Sequence, residues 1–332
     1  MVIATFHFLY LHHDVVNLIT YYHHYPGGHR MIAITGATGN TGSVLAAKLI
    51  GQGIKVRAIG RSAERLRGLK DKGAEIAIGD QADQAFLTKA FSGADAVYLL
   101  LPPKLDAPDF RAFQSKLIAA AVGALKSATV GKVVLLSSFG AELDSGTGPI
   151  LGLHDAEQQI GNIPHLDALF IRAGSFMENT LMMLSMIKAQ GIMGNPAPAD
   201  YSMSLVATKD IAAYAATVLS SPNFTGHTIH DLYGDQLTYN DIAAILAKKL
   251  AIPGLKYIQF PPEQAVSAMV GMGMGMSKST ADAMAEMSLG HEKIHPTNIP
   301  NGAPNAPTRY AQFVDEVLVP AWQAMQEEHA MA

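Results

Sequence analysis

Three glycines spaced three apart, Gly36, Gly39 and Gly42, stand in the segment Thr35-Gly36-Ala37-Thr38-Gly39-Asn40-Thr41-Gly42. Without Cβ atoms they let bare backbone N–H groups approach a ligand, and a helix starting there turns its positive end toward an anion. The chemistry this allows is the cradling of a pyrophosphate, and so of a dinucleotide. The spacing differs from the standard G-x-G-x-x-G fingerprint, so its context has to carry the argument, against the alternative of an ordinary strand-to-helix turn. Further on, Gly60-Arg61-Ser62 occupies the place where NAD-specific sites put an acidic residue on the ribose 2′-hydroxyl. No Asp or Glu is there, and a guanidinium can fork onto a 2′-phosphate, which favours NADPH; a solvated residue at a helix start is the competing reading of Arg61. Metal chemistry is not expected. His291-Glu292-Lys293-Ile294-His295 has the H-E-x-x-H pattern of helical zinc sites, yet Gly290 precedes it and Pro296 pushes His295 toward extended geometry. His227 and His230, three apart in a strand, point to opposite faces.

The elements that must position the glycines are legible on either side. An apolar run at 31–34 precedes the turn, a helical pattern at 43–50 follows it, and a second strand-like run covers 54–59. That is a βαβ unit of about 30 residues. Helix-like stretches at 62–72, 84–91 and 109–128 then alternate with strand-like ones at 74–78, 96–101 and 132–137. Continuous apolar strands separated by helices predict an α/β fold, a doubly wound, mostly parallel Rossmann sheet covered on both faces. A sixth strand is expected at 168–171, a helix near 208 with Thr208 as its N-cap, a β-α pair at 227–232 and from 238, and a short strand at 256–260. Residues 31–190 are assigned to the dinucleotide-binding domain and 191–332 to a smaller substrate-binding lobe interleaved with it, over the carboxyl edge of the sheet. The Gly-Met run 271–276 reads either as a loose helix end or as an apolar cover over a substrate.

Composition narrows the classes. The chain has 332 residues with 24 Lys+Arg against 28 Asp+Glu, a net charge of −4 and no long basic run, so no nucleic-acid partner is expected. The absence of cysteine excludes disulfides, thiolate nucleophiles and cysteine-ligated metals, and suits a cytoplasmic protein. Residues 1–30 hold six of the 13 histidines and interrupt their apolar stretch with His12-His13-Asp14. They read as an upstream extension outside the fold, neither a secretory signal nor a membrane span.

Together with Gly60-Arg61, the glycine segment, Gly79-Asp80, Ser137-Ser138-Phe139-Gly140, Arg172-Ala173-Gly174-Ser175-Phe176-Met177-Glu178-Asn179, Thr208-Lys209-Asp210-Ile211-Ala212 and the stretch from Leu237 to Ala243 make the chain resemble the NmrA-like, atypical short-chain dehydrogenase/reductase group over roughly 31–320. The resemblance implies that Gly36, Thr38, Gly39, Asn40, Thr41 and Gly42 hold the pyrophosphate and Arg61 the 2′-phosphate of NADPH. It puts Asp80 and Gln81 near the adenine, and Leu100-Leu101-Pro102 and Ser137-Ser138-Phe139 beneath the nicotinamide riboside. Typical short-chain dehydrogenases carry Tyr-x-x-x-Lys; here His154 takes the tyrosine position and Gln158 that of the lysine. Quinone-reductase-like members often have His-x-x-x-Glu, so His154 is the candidate catalytic residue, with a hydrogen-bonded structural histidine as the alternative. Phe139, Phe176 and Asn179 are candidates for the substrate site, and Met177, Met182, Met183 and Met186 for apolar lining or core.

The expected activity is NADPH-dependent hydride transfer to a quinone or similar small electrophile. A catalytically silent redox sensor acting through a protein partner is the alternative, and a nucleotide-sugar epimerase is disfavoured by the missing Tyr-Lys pair. No membrane partner is expected, and a homodimer is left open.

Overall fold

A computed structural model describes residues 30–271, 275–295, 297 and 303–330. The expected extension therefore lies, apart from Arg30, outside the described residues, as do residues 272–274 of the Gly-Met run. Apolar runs become strands where both faces are covered: β1 (Met31–Ile34) is buried at every position. It is followed by β2 (Lys55–Gly60), β3 (Glu75–Ile78), β4 (Ala96–Leu99), β5 (Lys132–Ser138) and β6 (Asp167–Ala173). The chain then leaves the sheet through β7 (Ser175–Phe176), β8 (Ile192–Asn195) and β9 (Ser202–Val206), and returns to its edge as β10 (His227–Leu232). The result is a seven-stranded sheet in the order β3-β2-β1-β4-β5-β6-β10, parallel at every pairing. Strand order reverses between β1 and β4, which opens a crevice at their carboxyl ends where ligands bind in such folds.

Helices cover both faces. α1 (Asn40–Gly51), α2 (Ala63–Asp71), α3 (Gln84–Phe91), α4 (Phe110–Ser127) and α5 (Leu151–Gly161) follow the first five strands in turn. One core layer joins Ile32, Leu45, Leu49, Val134 and Ile211, and the opposite layer joins Phe91, Leu125, Val133, Ile160 and Phe170. Local caps start several helices where the sequence predicts them: Ser62 accepts from Arg65 N at 3.3 Å, Asp83 from Ala85 N at 2.9 Å and Asp109 from Ala112 N at 2.9 Å.

After α6 (Leu184–Gln190), α7 (Thr208–Ser220) packs against α1 and feeds β10, so the chain crosses position 190 and then re-enters the main sheet. Thr208 is not the N-cap of α7. Ala207 holds that position with no side-chain cap of its own, and the Glu178 carboxylate caps instead, accepting from Thr208 N at 3.0 Å and Thr208 Oγ1 at 2.5 Å. The smaller lobe holds a third core, including Met177, Leu205, Ile242, Leu246 and Phe313. Its strand β11 (Asp235–Thr238) pairs antiparallel with β9, and β12 (Lys256–Gln259) pairs parallel with β8. α8 (Tyr239–Lys249) opens on a Thr238–Asp241 capping box, and α9 (Pro262–Gly271) and α10 (Lys278–Leu289) follow. Among the described residues no helix is long and apolar enough to cross a membrane.

Candidate active site

The glycine turn sits at the strand-order switch and presents bare backbone at Gly36, Gly39 and Gly42. Gly36 has φ +61°, and a Cβ placed on Gly42 would lie 2.3 Å from the Gly36 carbonyl oxygen, so the first turn of α1 is pressed against the end of β1. Thr35 fixes this corner to β4: its Oγ1 donates to the Leu100 carbonyl at 3.1 Å and accepts from Leu100 N at 2.7 Å. α1 starts at Gly39 with no side-chain cap and no acidic residue in its first turn, leaving N–H groups and the positive end of the helix for an external anion. Thr38 and Gly39 are half-buried and Asn40 is exposed at this end, whereas Thr41 is buried against Tyr98. Arg61 is exposed beyond β2 with no partner among the described residues. Gln81 is buried with its Oε1 lacking a hydrogen-bond partner, and Asp80 is exposed, its Oδ1 accepting from Ala82 N at 2.9 Å. An uncapped helix end, a free guanidinium and an orphaned buried amide oxygen fit a phosphorylated dinucleotide. Sequence reasoning missed Arg65, which donates to the Thr38 carbonyl at 3.1 Å and so brings a second guanidinium to the outside of the turn. Its signal was the one-turn spacing from Arg61.

Next to the turn lies a cavity of about 370 Å³. Leu100 is the shared wall: its side chain lies 3.1 Å from where a Gly36 Cβ would be, and it also lines the cavity. The structure brings Leu101, Pro102, Ser137, Ser138, Phe139, Phe176 and Asn179 into this lining, all named from the sequence. Met203, Met284 and Met287 supply the methionine lining. Of the other candidate methionines, Met177 is fully buried in the smaller lobe's core, Met182 is exposed, and neither Met183 nor Met186 reaches the cavity. α10 forms the cover. Its cap Ser277 donates to the Ala107 carbonyl at 2.6 Å, and its Ala283 carbonyl passes 2.0 Å from where a Gly148 Cβ would stand. Only glycine permits that approach.

No Asp, Glu, Lys, Arg or His lines the cavity among the described residues. Tyr201, missed from the sequence, donates its hydroxyl to the Ile294 carbonyl at 2.7 Å, and burial pushes its pKa up to about 12. Gln114 is consumed on both ends, accepting from Arg111 at 3.1 Å and donating to the Pro149 carbonyl at 2.7 Å. His154 stays outside the lining. Its neighbours Gly152 and Leu153 face the cavity, whereas its Nδ1 is 2.9 Å from the Ala141 carbonyl oxygen and Gln158 is exposed. The catalytic role expected of His154 has no geometric support, because the helix turns that position toward the loop after β5. His291–Lys293 form one short 3₁₀ turn, which does not set residues 291 and 295 one α-helical turn apart.

The ionisable residue that α5 does bury is Glu157, one position before Gln158. Its carboxylate accepts from Ser137 Oγ at 2.5 Å and is gripped by Arg172, through Nε at 3.0 Å and Nη2 at 2.6 Å. Arg172 Nη1 reaches Glu142 at 3.0 Å, and these carboxylates hold the guanidinium pKa above its ordinary value against the opposing effect of burial.

The NmrA-like family model matches residues 28–302. An NAD(P)H azoreductase from Xenophilus azovorans is 31% identical over 257 residues, covering 77% of this chain and 86% of that protein. Quinone oxidoreductase 2 of Escherichia coli is 28% identical over 270 residues, covering 79% and 88%. In fold, the chain is similar to the solved structure of an Escherichia coli NADPH-dependent quinone oxidoreductase complexed with NADPH, with a TM-score of 0.71 at 22% identity over 87% of this chain and all of that one. By sequence, this chain belongs to the NmrA-like family.

Proposed function

We propose that the protein reduces a flat, conjugated electrophile, a quinone or an azo compound, with hydride from NADPH. The observation that carries this reading is an apolar cavity, free of charged side chains in its described lining, that shares the Leu100 wall with an uncapped glycine turn. NADPH supplies the hydride when bound; the protein supplies position and surroundings. The glycine turn would hold the pyrophosphate, Arg61 the 2′-phosphate and Gln81 the adenine, with the ends of β4 and β5 along the nicotinamide riboside. Phe139, Phe176, Met203, Met284 and Met287 then define a slot for a ring system and exclude water from it.

The proton balance agrees with the lining. A quinone takes up one hydride and one proton to become a hydroquinone, and an oxyanion that stable can collect its proton from water. Alcohol oxidation needs a base at neutral pH, and Tyr201, with its pKa near 12 and its proton on a backbone carbonyl, is poorly matched to that task. The test is to bind NADPH to the purified protein, add menadione or an azo dye, and follow loss of the reduced-nicotinamide absorbance. Tight binding with rapid oxidation supports the reading. Tight binding with oxidation no faster than in buffer, across a quinone, azo and carbonyl panel, would refute it and leave a cofactor sensor.

A further inference from the structure

Ser137 lines the cavity at the end of β5, and its hydroxyl proton is already committed. Oγ donates to Glu157 Oε1 at 2.5 Å, and Glu157 is 5% exposed. The same oxygen accepts from Arg172 Nε, and the other carboxylate oxygen from Arg172 Nη2. Paired in this way, both carboxylate oxygens of Glu157 accept from donors, and the guanidinium fork holds them in place. Rotating the Ser137 proton away would leave a buried carboxylate short of a donor, which costs more than a neutral hydrogen bond returns. A hydroxyl has one proton, so Ser137 can offer the cavity only its lone pairs.

We propose that the floor of the cavity is a subsite for an uncharged N–H or O–H donor, with Ser137 as the acceptor and Glu157 and Arg172 as the positioning residues that fix its polarity. This rests on the oxidoreductase reading above for the identity of the ligands. Two sources offer such a donor: the carboxamide of the nicotinamide, or an amino or hydroxyl substituent on the electron acceptor. A bare quinone oxygen is excluded from this spot, because it would meet lone pairs.

Equilibrium binding tests the subsite separately from turnover. In one arm, the dissociation constant of NADP is compared with that of its acetylpyridine analogue, in which a methyl ketone replaces the carboxamide. In the other, with NADP bound, menadione is compared with its amino counterpart, in which NH₂ replaces the methyl group. The wild type is expected to prefer the donor-bearing ligand about three- to tenfold in one arm, which identifies the source. Ser137→Ala should abolish that preference. Glu157→Gln should weaken it in the Ser137 background and change nothing further in the Ser137→Ala background, whereas a purely structural Glu157 would lower Tm in both and leave the ratios alone. If Glu157→Gln does not fold, Ser137→Ala still decides. Ratios near one in both arms of the wild type, or a preference that survives Ser137→Ala, would overturn the proposal. Menadione turnover by the wild type reports independently on the oxidoreductase reading.

Discussion

Gly42→Ala and Gly51→Ala make the same chemical change at the two ends of α1 and are expected to have opposite consequences. At Gly51 a Cβ meets nothing within 4 Å, so the change should stabilise the protein by about 0.5–1 kcal/mol, the ordinary helix-propensity gain. At Gly42 the new methyl would lie 2.3 Å from the Gly36 carbonyl oxygen and 2.8 Å from its carbon, and both are backbone. The turn has to open by on the order of 1 Å to restore van der Waals distance. Overpacking of this kind costs about 1–3 kcal/mol, which offsets the propensity gain and leaves a net loss of up to about 2 kcal/mol. The larger effect should fall on binding. Opening the turn moves the N–H groups off the pyrophosphate, and losing one hydrogen bond to a charged group, about 1.5–3 kcal/mol, raises the NADPH dissociation constant roughly 10- to 100-fold. Fluorescence titration with NADPH and urea unfolding of both variants separate the two quantities. If Gly42→Ala bound NADPH as the wild type does, the turn would not be the seat of the pyrophosphate, and the cofactor assignment would fail with it.

Arg61→Ala should weaken NADPH about 10- to 100-fold while leaving NADH unchanged, and Arg65→Ala should fall between that and the wild type; paired titrations with both cofactors measure this. Glu178→Ala removes the cap of α7 and should cost about 1–2 kcal/mol in urea unfolding, with both NADPH and acceptor binding kept. His154→Ala should lose only its bond to the Ala141 carbonyl, about 1 kcal/mol of stability, with kcat and KM for menadione unaltered; a collapse of kcat would reinstate His154 as a catalytic residue. Burial holds the pKa of His230, stacked on Tyr214 at 4.0 Å, below its ordinary 6.5, although neighbouring Asp231 works the other way. The unfolded chain then protonates first, so this contribution is complete above pH 6.5 and is lost as pH falls from there through the lower folded value. Between about pH 7.5 and about pH 5.5 the wild type should lose more stability than His230→Phe, measured by urea midpoints.

The parts of the fold that were legible are those specified by neighbouring residues. β1 and β4 are uninterrupted apolar runs, β5 is built around another at 133–136, and Ser62, Asp83 and Asp109 cap the helices that begin one residue later. Thr208 misled because the group that caps its helix comes from Glu178, thirty positions earlier, and no local pattern announces that. The cavity walls at the ends of β4 and β5 were found through the family's motifs, whereas Tyr201, Met203, Met284 and Met287 enter from the smaller lobe, whose placement depends on long-range packing. Glu157 was passed over because the Tyr-x-x-x-Lys frame draws attention to 154 and 158. The available signal was Arg172, a lone charge ending the apolar run Ala168-Leu169-Phe170-Ile171: a guanidinium buried in a strand needs an anion buried beside it.

The late return of β10 to the sheet bears on how the chain is made. β6 ends at Ala173 and its outer neighbour at Leu232, about sixty residues later. At a synthesis rate of ~5–20 residues per second, the outer edge of β6, with Leu169, Phe170 and Ile171, waits about 3–12 s for its partner. A bare apolar edge of that kind is a template for pairing with another chain. Truncation before His227 is therefore expected to give aggregates rather than a smaller folded domain, and chaperone demand during expression should peak while the residues from Gly174 to Gly226 are being added.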